Sequence, residues 1–153
     1  MAIAVEVHEP KGFGRARLSR VPDVSAASLI PFVQARVEPG ASVLTDGWSA
    51  YGGLPTYGFI HTKTILSASG DPAHVSMPAV HRVSSLLKRW LLGTHQGSVA
   101  PEHLQAYLNE FTFRFNRRTS RRRGLLFYRL LEQAVITPPT TYQQTIRHGR
   151  RRP

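Results

Sequence analysis

Two short segments near the start of the chain alternate apolar and polar side chains, and this pattern restricts the fold more than any other feature. Ile3, Val5 and Val7 alternate with other residues over positions 2–8, which is the period of a β-strand. Residues 14–21 alternate again, and the Glu-Pro-Lys-Gly sequence between the two segments is typical of a turn. The pattern predicts a β-hairpin, whose polar second strand is suited to the edge of a sheet.

The segments after the hairpin predict helices and strands in turn. A helix begins after Ser25 or Ser28, either of which can cap it, with Pro31 tolerable only in a first turn, and it ends at Glu38-Pro39-Gly40. The pattern then predicts a short buried strand at 41–45, a short helix at 48–54, a strand at 61–66, and long helices at 78–92, 101–118 and about 125–135. Gly93 is the expected end of the first long helix. This order of elements predicts an α/β fold, a mixed sheet with packed helices.

The charge of the chain indicates the class of partner. Lys and Arg number 20 against 9 Asp and Glu, which gives a net charge of +11. Such an excess favours a polyanion, because neutralised phosphates release counterions; a negative membrane surface is the other candidate. No apolar run approaches the ~20 residues of a membrane span, and no signal peptide is visible. We therefore expect no membrane association and a cytoplasmic, nucleoid-associated protein that binds nucleic acid.

Cysteine is absent from the sequence. This excludes disulfides, a thiol nucleophile and a cysteine-ligated zinc site in this chain.

The basic residues concentrate on the predicted helices and on the segment that follows them. Together with Asn116, this concentration predicts a phosphate-contacting surface, although a solvated face that only provides solubility is the alternative. The predicted DNA-binding residues are Lys88, Arg89, Arg114, Arg117, Arg118, Arg121, Arg122 and Arg123.

Three sets of residues are also candidates for chemistry. Asp46 follows a predicted strand directly, and ligands gather at the C-terminal ends of strands in α/β sheets; an ordinary Asp-Gly turn is the alternative. His81 and Lys88 are two turns apart and share one side of a helix. Glu110 and Arg114 have the spacing of an ordinary helix-supporting ion pair.

Four segments in this order resemble the ISXO-like branch of the DDE insertion-sequence transposases. They are residues 45–51 (Thr-Asp-Gly-Trp-Ser-Ala-Tyr), 58–61 (Gly-Phe-Ile-His), 80–95 and 104–118. The resemblance extends from residue 2 to about residue 136, and the first and last of these segments are the most specific.

The resemblance implies a ribonuclease-H-like fold and two divalent metal ions, Mg²⁺ or Mn²⁺, that activate water or a 3′-hydroxyl against a DNA phosphodiester. Two metals stabilise both the attacking and the leaving oxygen, and Mg²⁺ prefers carboxylate oxygens. Asp46 matches the second catalytic aspartate of the family, and His81 stands in the place of its third acidic residue, so both are the implied catalytic residues and metal ligands. Lys88 matches a lysine thought to touch the transposon end. Glu110, Arg114 and His61 match supporting residues.

Two departures from the family pattern shape the functional hypothesis. The first family aspartate belongs to a strand that precedes residues 2–8, and position 81 is His rather than an acidic residue. We therefore expect residues 1–136 to be a partial, N-terminally truncated catalytic domain, and 137–153 to be a basic, disordered tail. The expected function is that of an inactive transposase copy that still binds transposon ends and target DNA.

Two alternatives remain open on the sequence. A polynucleotidyl transferase that takes its first aspartate from another polypeptide would be active. A domesticated DNA-binding or regulatory protein would co-assemble with an intact transposase, or with further copies of itself.

Overall fold

The computed structural model describes residues 1–8, 10, 12–64, 77–97, 99–139 and 141. Among these residues the chain forms an α/β structure, as the sequence predicts. Its elements in order are β1 (Ala2–Val7), β2 (Phe13–Ser19), α1 (Ala26–Arg36), β3 (Ser42–Thr45), a 3₁₀ helix (Ser49–Tyr57), β4 (Ile60–Lys63), α2 (Pro78–His95), α3 (Leu104–Asn116) and α4 (Arg123–Ile136).

The predicted hairpin is the middle layer of the structure. β1 and β2 pair antiparallel, with Ile3 opposite Leu18 and Val5 opposite Ala16. These side chains face a core built with α2 and α3, which we call the α2–α3 core. Its buried members are Ala16, Leu18, Val83, Leu87, Leu108, Phe111 and Phe115.

The other face of the hairpin packs against α1. Ala2 is buried there and Ala4 is partly buried, because alternate residues of a strand point to opposite faces. This second core, which we call the α1 core, has as its buried members Ala2, Leu29, Ile30, Phe32, Val33, Leu54 and Phe59.

The second sheet consists of β3 and β4, which pair in parallel with Val43 beside His61. The prediction of one mixed sheet is therefore wrong for the described residues, because no hydrogen-bonded ladder joins β3 to β1. The prediction that β3 is buried is also wrong in part. Thr45 is buried, but Leu44 is 47% exposed, since β3 has a single strand neighbour among the described residues.

The boundaries of three helices differ from the sequence expectation. α2 does not end at Gly93 but continues to His95, and Gln96 ends it in the left-handed conformation. A glycine inside a helix costs only about 1 kcal/mol, and Gly93 lies on the exposed side of α2. The short helix after β3 is a 3₁₀ helix of 9 residues, and Pro31 lies inside α1 rather than in its first turn.

Some predictions fall outside the described residues. These are the end of the strand at 61–66 and most of the basic tail at 137–153. None of the helices in the described ranges combines the length and the apolar character that crossing a membrane requires.

Candidate functional site

Asp46 lies where the sequence predicts it, directly after β3. Its Oδ1 accepts a hydrogen bond from the backbone N–H of Trp48 at 3.2 Å. Gly47 has a φ of 81°, which turns the chain immediately after the carboxylate. Asp46 is exposed, so the structure contains the Asp-Gly turn and leaves this residue accessible to solvent.

The surroundings of Asp46 bring together three side chains from the segments that carry the family resemblance. The Thr45 hydroxyl lies 2.9 Å from Nε2 of His61, which joins the last residue of β3 to the second residue of β4. Burial raises the pKa of Tyr51 above its usual value, and the negative charge of Asp46 raises it further. Burial lowers the pKa of His61, and the positive charge of Lys63 lowers it further. The neutral imidazole is thus favoured beside Thr45.

His81 lies in the first turn of α2 and is half-buried. Lys88 is two turns further along the same side of the helix, and both Lys88 and Arg89 are exposed. α2 packs on the face of the hairpin opposite to α1. The predicted cationic face of this helix is therefore directed away from the core.

The described residues do not form the implied metal site. Across the described ranges, no three His, Asp or Glu side chains are placed so that they could hold a metal ion together. Neither Asp46 nor His81 thus belongs to a group of three candidate ligands in this part of the chain. The donor set would also combine one carboxylate with one imidazole, which suits Mn²⁺ or Zn²⁺ better than Mg²⁺. The arrangement does not fit a two-metal centre that depends on carboxylates.

The end of α3 carries the second group of predicted site residues. Glu110 and Arg114 form the expected ion pair at 2.7 Å, with both side chains well exposed. The guanidinium of Arg117 lies 3.8 Å from the centre of the Phe113 ring. Arg121 and Arg122 are exposed in the connection to α4, and Arg123 is the first residue of that helix. Several cations thus follow one another along the end of α3 and the connection to α4.

Two residues in this region have structural contacts that sequence reasoning missed. Asn116 does not point towards solvent but bonds both the N–H and the C=O of Ala16. Arg118 stacks on Phe115 and donates hydrogen bonds to the carbonyls of Phe13 and Gly14. No spacing in the sequence signals these contacts, because the partners are about a hundred positions away.

Comparison with known proteins places the chain in a family. A model of the ISXO2-like transposase domain matches residues 1–116. An "uncharacterized transposase-like protein" of Haemophilus influenzae is 29% identical over 96 residues, which covers 63% of this chain and 76% of that protein. No solved structure matches this chain. The family match includes the hairpin, Asp46, α2 and α3, and it ends before Arg117. The chain therefore belongs to the ISXO2-like transposase family.

Proposed function

We propose that this chain serves DNA transposition as a DNA-binding protein, and that it does not cleave DNA through its own residues alone. The observation that carries the proposal is the set of exposed cations on α2, on α3 and in the connection that follows α3, in a member of a transposase family. They are Lys88, Arg89, Arg114, Arg121 and Arg122. The net charge of +11 supports the same partner. Transposon ends and target DNA are the duplexes that such a protein would meet.

Two groups of cations would contact phosphate. The first is Lys88 and Arg89 on the exposed side of α2. The second is Arg114, Arg117, Arg121, Arg122 and Arg123 along the end of α3 and the start of α4. Contacts of this kind fix position but read no sequence, so the affinity would depend weakly on DNA sequence.

The chemistry of the donor set supports the absence of cleavage by this chain alone. Asp46 is an exposed carboxylate at a strand end, but its expected companion, His81, is an imidazole. One carboxylate would hold two Mg²⁺ ions poorly.

A ribonuclease-H-like fold also belongs to the proposal. The hairpin, the helix and the following strand, in that order, support it.

The test is the salt dependence of duplex DNA binding, measured by fluorescence anisotropy between about 50 and 200 mM NaCl. This roughly fourfold range is sufficient to determine the slope of log K against log salt. Removing two cations in Lys88→Gln/Arg89→Gln should reduce the slope of log K against log salt by about 1.8, at about 0.9 per phosphate. Arg36→Gln is the matched control, since α1 lies on the opposite face of the hairpin. Equal changes of the salt slope in the α2 and α1 variants, or DNA binding that does not depend on salt, would contradict the proposal.

The catalytic half of the proposal is tested separately. With Mg²⁺ or Mn²⁺, the purified chain should neither nick nor join a DNA duplex that carries the element's ends. Cleavage that disappears in Asp46→Ala would show that the chain is an active nuclease.

A second candidate function is a regulator that co-assembles with an intact transposase. It is favoured by the apolar surface of α4, where Phe127 is 61%, Tyr128 63% and Val135 85% exposed. Exposed apolar patches of this kind mark interaction sites. Co-expression with an intact relative discriminates the two functions: a regulator would inhibit transposition, and Phe127→Ser/Val135→Ser would relieve that inhibition.

A further inference from the structure

We infer that α4 is a dimerisation helix, which packs antiparallel against α4 of a second copy of this chain. Of the α4 side chains that the structure describes, all are exposed except that of Leu126, which is half-buried. A helix of 14 residues is marginal in water by itself, because helices in proteins are held mainly by packing of an apolar face. The helix therefore requires a surface that covers it. Its exposed large apolar side chains are those of Leu125, Phe127, Tyr128, Leu130, Leu131, Val135 and Ile136.

The apolar side chains of α4 include a continuous stripe along one side of the helix. Phe127, Leu131 and Val135 follow one another at intervals of four residues, and Tyr128 and Ala134 lie three residues to either side of the central leucine. Residues at these spacings share one side of a helix. Tyr128, Leu131 and Val135 also line one open groove. A stripe of this kind, which we call the α4 stripe, is suited to the packing of a second helix.

The charge of α4 restricts the kind of partner. Its charged residues are Arg123, Arg129 and Glu132, and Arg129 donates to Glu132 at 2.7 Å. The helix is therefore close to neutral in a chain whose net charge is +11. Two copies of so basic a chain repel each other where their cations meet, so a nearly neutral helix is the surface on which they can approach. DNA or an acidic protein would gain little from this helix.

The order of side chains along the α4 stripe fits an antiparallel pair. With a twofold axis beside Leu131, Phe127 lies opposite Val135 of the second copy, and Tyr128 lies opposite Ala134 of the second copy. Each aromatic ring then meets a smaller side chain, which allows the ridges of the two helices to interdigitate. A parallel pair would instead place ring against ring at one end and alanine against alanine at the other. The antiparallel pair is also the closed, twofold arrangement that most homodimers adopt.

The exposed area of the α4 stripe sets the strength of the association. Phe127 is 61% and Tyr128 63% exposed, and Val135 is 85% exposed. Together with Leu131 the stripe offers roughly 500 Å² per copy, since one aromatic side chain alone has about 150–250 Å². A pair would bury about 1,000 Å² in total, which is the size of a weak, reversible interface. We therefore expect a dimer with a Kd in the micromolar range.

This inference names the partner for the second candidate function and goes beyond the proposed DNA contacts. Its test contains no DNA, so a failure of DNA binding leaves the dimer standing, and a failure of the dimer leaves the DNA contacts standing.

The direct test is sedimentation equilibrium of the full chain over about a hundredfold range of protein concentration. The buffer contains about 0.5 M NaCl, which screens repulsion between the basic surfaces. The unaltered chain should show a reversible equilibrium between monomer and dimer. Phe127→Ser should weaken dimerisation about tenfold or more, because an aromatic anchor of the interface is lost. The matched control is Leu92→Ser, since Leu92 is also 63% exposed but lies on α2, and it should leave dimerisation unchanged.

Three outcomes of this test would overturn the inference. They are a monomer at every concentration, an assembly larger than a dimer, and equal weakening by the α4 and α2 variants. If the chain is a monomer whose α4 amides are nevertheless protected from hydrogen exchange, another part of the same chain covers the helix.

The absence of cysteine from the sequence allows an independent test of the direction of the pair. In the antiparallel pair the two copies of position 131 are adjacent, whereas the two copies of position 134 are offset by about 9 Å along the helix axes. A disulfide requires Cα atoms within about 7 Å of each other. Under mild oxidation Leu131→Cys should therefore form a covalent dimer on a non-reducing gel, and Ala134→Cys should not. Disulfides in both variants would indicate a parallel pair and contradict the proposed arrangement, and disulfides in neither would contradict the interface itself.

Discussion

Asn116 binds Ala16 through both ends of its side-chain amide, with Oδ1 2.7 Å from the Ala16 nitrogen and Nδ2 2.9 Å from its carbonyl oxygen. A side-chain amide offers the same donor and acceptor as a peptide group. The end of α3 therefore takes the place of a neighbouring strand at the edge of β2. This contact joins the hairpin to a helix 100 positions away in the sequence.

We expect Asn116→Asp to lower the free energy of unfolding by about 1–3 kcal/mol, because the carboxylate cannot donate to the Ala16 carbonyl. Urea denaturation followed by circular dichroism measures the change. Asn109→Asp is the matched control on α3, since Asn109 is exposed and only accepts a hydrogen bond, from Gln105. Equal losses in the two variants would contradict the role assigned to the amide donor.

The arginines at the end of α3 should separate into a structural and a DNA-contacting group. Arg118→Gln removes hydrogen bonds to the hairpin and stacking on Phe115, and should cost about 1 kcal/mol of stability or more. Arg121→Gln, at an exposed position, should change stability by less than about 0.5 kcal/mol. In DNA titrations, Arg121→Gln should reduce the salt slope by about 0.9. If Arg118→Gln instead leaves stability unchanged and flattens the slope, Arg118 belongs to the DNA surface.

Two leucines of α2 provide a matched test of the α2–α3 core. Leu87 is fully buried, whereas Leu92 is 63% exposed. Leu87→Ala should destabilise the protein by about 2–5 kcal/mol through lost contacts and a cavity, and Leu92→Ala by less than about 0.5 kcal/mol. Thermal or urea unfolding of both variants measures the difference. A small loss at Leu87 would mean that α2 does not pack on the hairpin in solution.

The imidazole of His61 should titrate below its ordinary pKa of 6.5, because burial and the nearby charge of Lys63 both disfavour the protonated ring. Its contribution to stability is present above pH 6.5 and is lost as the pH falls through the lowered pKa of the folded state. Histidine NMR titration should show this pKa rise in Lys63→Gln and stay constant in Lys88→Gln. An unshifted His61 in the unaltered chain would contradict the placement of the ring between β3 and β4.

The sequence by itself determined the elements whose signal is local. The alternation of Ile3 and Val5 predicts β1, and the spacing of Val83 and Leu87 and of Leu108 and Phe111 predicts the buried sides of α2 and α3. Side-chain periodicity follows directly from helix and strand geometry. The family resemblance is also read from contiguous segments, which is why it could be found without the structure, along with the position of Asp46 after a strand.

The tertiary structure decided what depends on partners far away in the sequence. The basic residues around Asn116 and Arg118 in the sequence predict that both contact phosphate, yet both bind the hairpin. The sequence predicts that β3 is buried, yet Leu44 is half exposed, because burial of a strand depends on which strands lie beside it. Strand pairing and amide hydrogen bonds connect groups that no local spacing relates.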